Sequence, residues 1–223
     1  MSKVPVLFDF DGTLVDTEPA IHESFREVFR LHGNVEDFDD RKKIEVLGPP
    51  LDVMMLKYFP HLDPEVLKAE YREYQNAHLP ELIKPMEYMR ELLTELKNKG
   101  YRIAVVSTRR TDSIERIMNT AGMPGVFDVV IGHETVTRQK PDPEGIYMAK
   151  ELLGYAADTP CIYIGDSPMD IQCGKNAHAY TIAMISHPGK EEDVLAQKPD
   201  AVVYHLKDLM NIIENYQGNE VQE

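Results

Sequence analysis

The chain has little cysteine, a shortage of positive charge and no long apolar stretch. Its two cysteines, Cys161 and Cys173, lack metal-site spacing and cannot build a disulfide framework. They are expected to be free, buried thiols in a reducing cytoplasm. No apolar run approaches the roughly 20 residues that a membrane helix needs, and Asp9 interrupts the run near the start. No basic stretch followed by an apolar segment and a small-residue cleavage site is legible, which again points to a cytoplasmic location. Lysine and arginine number 24 against 38 aspartates and glutamates, a formal net charge of −14. That balance argues against nucleic acid and anionic membranes as partners. It also demands local positive charge wherever an anionic substrate binds. Internal repeats and low-complexity linkers are missing as well. What remains is 223 residues, 43% hydrophobic and 28% charged, enough for one good core and a smaller second lobe.

Hydrophobic periodicity divides the chain in two. An apolar strand around Val6–Phe8 is followed by a helical pattern over 18–31, with Ile21, Phe25, Val28 and Phe29 recurring at helical spacing and Gly33 closing it. Further apolar residues from Ile44 to Tyr71 continue this pattern, broken at Gly48-Pro49-Pro50 and Pro60. Nothing strand-like intervenes up to about residue 82. From there strands and helices alternate. A helix opens at Pro85 and stops at Gly100; strands are expected over 101–106, 126–131, 161–164, 180–184 and 201–204, with helices over 112–121, 144–153 and 169–177 between them. Ile212 and Ile213 belong to a closing helix, and the polar tail after Gln217 frays. Such alternation makes a parallel sheet with helices on both faces, and the site of such a sheet lies at the carboxyl ends of its strands.

Those ends carry chemistry. Asp9 and Asp11 follow the first strand, two residues apart, so alternation directs both carboxylates to one side. Such a pair suits a hard divalent cation, although aspartates also cap turns of the kind Gly12 would make. Phosphoryl transfer needs a nucleophile, a proton donor, a metal and positive charge around the phosphoryl oxygens. Asp9 can attack phosphorus, and Asp11 can protonate the leaving oxygen and later activate water. Asp166 completes a Mg²⁺ site with Asp9 and Asp11, the last through its backbone carbonyl. Lys140, restrained by Pro141 and Pro143, supplies the positive charge. Ser107 and Thr108 offer hydroxyl and backbone donors to phosphate oxygens. Arg109 or Arg110 could meet a second anionic group of the substrate by a bidentate contact.

Taken in order, Asp9-Phe10-Asp11-Gly12-Thr13, Ser107, Lys140-Pro141-Asp142-Pro143-Glu144 and Gly165-Asp166-Ser167-Pro168-Met169-Asp170 resemble the four motifs of the haloacid dehalogenase-like hydrolase superfamily. The resemblance implies an α/β fold: a Rossmann-like, doubly wound, mainly parallel sheet with an inserted α-helical cap domain. It divides the chain into a core of residues 1–15 and 83–223 and a cap of residues 16–82 that closes over the substrate. Asp9 is then the nucleophile, Asp11 the acid/base, Ser107 and Lys140 the phosphate ligands and Asp166 a Mg²⁺ ligand, with Asp170 and Thr13 in support. Within the superfamily, Gly48-Pro49-Pro50-Leu51 and Gly174-Lys175-Asn176-Ala177 are similar to the phosphoglycolate phosphatase and inorganic pyrophosphatase branch. Arg109-Arg110 and His178 depart from its usual pattern.

The expected activity is Mg²⁺-dependent hydrolysis of a small phosphorylated metabolite, a phosphoglycolate-like monoester, through a covalent aspartyl-phosphate; the alternative is inorganic pyrophosphate. A halide-removing relative would lack Asp11. A sugar phosphomutase would carry a cap histidine where Ile21 stands, and His22 beside it reads as an exposed helix residue. A phosphonate-cleaving enzyme would need a buried cap lysine, whereas Lys42, Lys43 and Lys57 read as solvated. A non-catalytic scaffold would have no need of Asp9, Asp11, Lys140 and Asp166 together. Oligomeric state leaves no trace in the sequence.

Overall fold

The computed structural model describes residues 3–47, 49–186, 191–216 and 218, with the side chain of Pro80 left aside. Gly48, the first residue of the Gly48-Pro49-Pro50 break, and the tail residues 217 and 219–223 lie outside the described residues. Strands β1 (Val6–Phe8) and β2 (Val15–Asp16) precede five helices: α1 (Glu18–His32), α2 (Asp40–Glu45), α3 (Leu51–Tyr58), α4 (Pro64–Ala77) and α5 (Leu79–Leu82). Then come β3 (Lys84–Pro85), α6 (Met89–Asn98), β4 (Ile103–Val106), α7 (Thr111–Thr120), β5 (Val129–Ile131), α8 (Glu144–Leu152), β6 (Ile162–Gly165), α9 (Pro168–Asn176), β7 (Tyr180–Met184), α10 (Glu191–Ala196), β8 (Ala201–Val203) and α11 (Leu209–Asn215).

Pro85 does not open a helix. It ends β3, which pairs with β2 in a small two-stranded sheet, and α6 begins four residues later at Met89, after Tyr88 in left-handed conformation (φ 69°). The helix α10 was not legible from its six residues, because a single turn and a half carries too little periodicity.

The chain separates into two compact units, residues 1–15 with 85–223 and residues 16–84. The first unit is built on a six-stranded sheet of order β5-β4-β1-β6-β7-β8, in which every neighbouring pair runs parallel. Three central strands are nearly continuous apolar runs because both faces are covered. Leu7, Ala104, Val106 and Tyr163 share one face with Ile146 and Ala149 of α8 and Leu153 just after it, and with Cys173 of α9 and Ala177 just after it. Alternation sends Val6, Phe8, Ile103, Val105, Ile162 and Ile164, all buried, to the other face. Chain order reverses at β1: one half of the sheet grows from β4 on one side and the other from β6 on the other. At such a switch point the connections diverge and leave a crevice at the carboxyl ends.

The second unit is mainly helical. Phe25, Val28 and Phe29 of α1 pack with Leu67 and Tyr71 of α4 and with Phe38, Met54, Met55 and Phe59. Aromatic edges do much of the filling: Phe25 meets Tyr71 at 5.1 Å and Phe29 meets Phe59 at 4.8 Å between ring centroids. His22 is not the exposed residue its helical position suggested. Its ring lies edge-on to Phe38, and Nε2 is 3.0 Å from the Lys43 carbonyl oxygen. Lys42, Lys43 and Lys57 pair with Asp39, Asp40 and Glu45 at the surface.

Two measurements check this packing. Burial pushes the Cys161 thiol up to about 11 and the Cys173 thiol up to about 12. A disulfide-exchange reagent at pH 8 should therefore react slowly with the native protein and rapidly with both thiols in denaturant. Phe8→Ala, which empties a fully buried site in the central strand, should cost about 3–5 kcal/mol in urea unfolding.

Candidate active site

The tips of β1, β4 and β6 lie side by side, and each ends in a polar residue. Asp9 follows β1 directly. Its backbone N–H donates to the Ile164 carbonyl of β6 at 2.7 Å, and its side chain is buried. Ser107 follows β4, also buried, with its N–H on the Ile131 carbonyl of β5; Thr108 beside it is half-buried. Asp166 follows Gly165 at the end of β6. This convergence results from pairing in register, since Phe8 stands opposite both Val105 and Ile164.

Lys140 comes from the segment between β5 and α8. Its ammonium donates to Asp9 Oδ1 at 2.6 Å and to Asp170 Oδ1 at 2.7 Å. More than the flanking prolines holds that segment in place. Glu144, in the first turn of α8, accepts from the backbone N–H groups of Thr137 and Arg138. The Asn176 amide donates to the Pro141 carbonyl, and the Gln139 amide to that of His133. The backbone bond from Thr137 is foremost in pulling the Glu144 carboxyl down to about 2. This clasp thus depends on the carboxylate and persists as pH falls, until the carboxyl itself protonates.

Asp170 is fully engaged. Besides Lys140, it accepts from the Tyr163 hydroxyl at 3.2 Å and from the backbone and hydroxyl of Ser167, closing the capping box of α9. Gly165 makes room for this, as a Cβ there would fall 2.3 Å from the Asp170 Cβ. Asp170 thus serves Lys140.

Asp9, Asp166 and Asp170 each present a carboxylate oxygen, all within 4.8 Å of one another. Gly12 bounds this cluster: its φ is +76°, and a Cβ on it would lie 2.2 Å from Asp166 Oδ2. Both reasons exclude a side chain there. Burial is the largest influence raising the Asp9 carboxyl well above the usual range, and Asp170, Asp166 and Asp11 push the same way against Lys140. Burial would lower the Lys140 ammonium, but Asp170 and Asp9 outweigh it and hold the group protonated. Three carboxylates thus lie together, with the Lys140 ammonium on two of them. Excess negative charge with hard oxygen donors fits a divalent cation such as Mg²⁺, with Asp9 and Asp166 as the carboxylates best placed to hold it.

Asp11 does not join that cluster. Its carboxylate is taken by Arg109, whose Nη2 donates to Oδ1 at 2.7 Å and whose Nε lies 2.9 and 3.0 Å from the two oxygens. Arg110 turns away to Asp112 at the surface. Thr13 is buried, and its hydroxyl has no hydrogen-bond partner among the described residues. The grip of Arg109 on Asp11, 98 positions apart, and the Tyr163 support of Asp170 carry no local sequence signal.

Lys140→Met leaves Asp9 and Asp170 buried without their cation, so urea unfolding at pH 7 should show a loss of about 3–5 kcal/mol. In that variant the folded state holds Asp9 above its unfolded value, so the native protein binds more protons. The deficit should accordingly shrink as pH is lowered toward 5. A variant as stable as the parent at pH 7 would contradict the assigned ion pair.

Comparison with known proteins gives the family. Residues 6–184 match the family of haloacid dehalogenase-like hydrolases. The pyrophosphatase PpaX of Listeria monocytogenes is 35% identical over 214 residues, covering 94% of this chain and 96% of that protein. PpaX of Halalkalibacterium halodurans is 34% identical over 212 residues, with coverage of 93% and 95%. A crystal structure from Bacteroides fragilis, described as a haloacid dehalogenase-like hydrolase, superposes with a TM-score of 0.83 at 27% identity, covering 93% of this chain and all of that one. The chain belongs to the haloacid dehalogenase-like hydrolases and is an enzyme of their phosphatase type.

Proposed function

We propose that this phosphatase is Mg²⁺-dependent and acts through a phosphorylated Asp9, with inorganic pyrophosphate as its leading substrate. One observation carries the mechanism: a carboxylate buried at the tip of the central strand, with an ammonium at 2.6 Å on one oxygen and Asp166 within metal-sharing reach. An Asp9 oxygen attacks phosphorus while the bond from phosphorus to the leaving oxygen breaks. Asp11 delivers a proton to that oxygen. Asp11 then takes a proton from water as the water attacks the acyl phosphate, which releases orthophosphate and restores Asp9. Lys140, Ser107 and Thr108 hold the phosphoryl oxygens. Mg²⁺, when held by Asp9 and Asp166 with the Asp11 carbonyl, supplies the charge neutralisation that lets a carboxylate meet an anionic phosphoryl group.

The choice of pyrophosphate is supported by the relatives named pyrophosphatase, which match nearly end to end. A small monoester of the phosphoglycolate kind is the second reading, as its leaving group is likewise small and anionic. Either is a small phosphorylated metabolite, and neither requires nucleic acid or membrane.

With Mg²⁺, the enzyme should hydrolyse p-nitrophenyl phosphate. Asp9→Asn should reduce that rate to background, and Asp11→Asn should lower it by about 10²–10⁴-fold. Chelation of the metal should stop turnover and resupply should restore it. Undiminished turnover by Asp9→Asn would overturn the covalent mechanism. In a panel of phosphate compounds, kcat/KM should be highest for pyrophosphate; a higher value for phosphoglycolate would favour the second reading.

A further inference from the structure

Arg109 has features that a solvated arginine at a helix start lacks. Its side chain is 9% exposed. Its backbone is fixed at both ends, the N–H donating to Ser107 Oγ at 3.1 Å and the carbonyl accepting from the His133 N–H at 3.0 Å. Its guanidinium grips Asp11 through Nε and Nη2 and donates to Ser113 Oγ through Nη1 at 3.0 Å. Lys140 and Arg109 thereby hold different carboxylates of the site, Lys140 those of Asp9 and Asp170, Arg109 that of Asp11.

We infer that Arg109 selects leaving groups that carry an oxyanion of their own, the second phosphoryl of a diphosphate or a carboxylate set close to the ester oxygen. The inference rests on the proposed role of Asp11 as the group that touches the leaving oxygen. A guanidinium within hydrogen-bond distance of that same carboxylate lies beside the atom that departs. In a diphosphate the next phosphorus is bonded directly to that atom, so its oxygens come within reach of the guanidinium N–H groups. Arginine suits such a task, since its planar fork matches phosphate and carboxylate oxygens in pairs and its charge is permanent. A neutral alcohol leaving group offers nothing to that fork. The anion would share Arg109 with Asp11, exchanging one charge-assisted bond for another rather than requiring a cation to be freed from solvent. In a chain with net charge −14, a cation built into the site at this point overcomes repulsion where the anionic leaving group sits. A purely structural strut between the loops at Asp11 and Ser107 would show no such discrimination.

Binding of methylenediphosphonate, which cannot be hydrolysed across its carbon bridge, is compared with that of methylphosphonate by calorimetry in the presence of Mg²⁺. Arg109→Ala should weaken the diphosphonate by about 10–100-fold, and should change methylphosphonate by less than about threefold. Arg109→Lys, which keeps the charge and loses the fork, should recover part of the diphosphonate affinity and provides a folded control. In turnover, Arg109→Ala should lower kcat/KM for pyrophosphate far more than for glycerol 2-phosphate. Equal weakening of both phosphonates, or of neither, would overturn the inference. Full activity in Asp9→Asn would instead overturn the proposed mechanism and leave the binding comparison to decide the role of Arg109 alone.

Discussion

The ion pair on which the site depends is the buried triad Asp9–Lys140–Asp170, with the ammonium 2.6 and 2.7 Å from its two carboxylates. Burying charge is expensive, and an arrangement of this kind persists only when each member is compensated. Asp170 is compensated by Tyr163 and Ser167 as well as Lys140, and Lys140 by two carboxylates at once, while Asp9 relies on that same ammonium. The triad links three distant parts of the chain, the end of β1, the segment before α8 and the first turn of α9. Their relative placement is therefore a condition of folding as much as of chemistry.

The same electrostatics prepares the site for its reaction. Desolvation makes Asp9 reluctant to carry charge, and its acidic neighbours add to that reluctance. A divalent cation between Asp9 and Asp166 would relieve both. Negative charge concentrated in a chain already acidic would, for the proposed reaction, call for a metal on the carboxylates and fixed cations for the substrate. Under the proposed mechanism Lys140 and Arg109 are those cations, one bonded to Asp9 and the other to Asp11.

The backbone supports this in two places through the lack of a side chain. At Gly12 a left-handed turn lets Asp166 approach within a distance no Cβ would tolerate, and at Gly165 the chain passes directly beneath Asp170. These close approaches explain why the acidic tips can share so small a volume. Loops carry the reactive groups, while the parallel strands fix where those loops begin.

Much of this was legible in the linear chain. The continuous apolar runs at Val6, Ile103 and Ile162, each ending in a polar residue, identify buried parallel strands and their reactive ends, because period and burial are local properties. Helical spacing around Phe25 and Phe29 identified α1 for the same reason. The motifs beginning at Asp9, Lys140 and Gly165 pointed to phosphoryl transfer through the types and order of their side chains. Short elements escaped: α10 is too brief to show a period, and β3 takes Pro85 because pairing with β2, not local preference, decides it. Only the tertiary structure could decide which charges meet. His22 is drawn to Phe38 and the Lys43 carbonyl, Asp170 is claimed by Lys140, and Asp11 by Arg109. The amino-acid sequence by itself determined the six strands of the main sheet, their succession along the chain and the chemical inventory at their tips. Partners between those groups were decided by the fold, since an ion pair between residues 98 or 131 positions apart depends on distances that only the closed sheet creates.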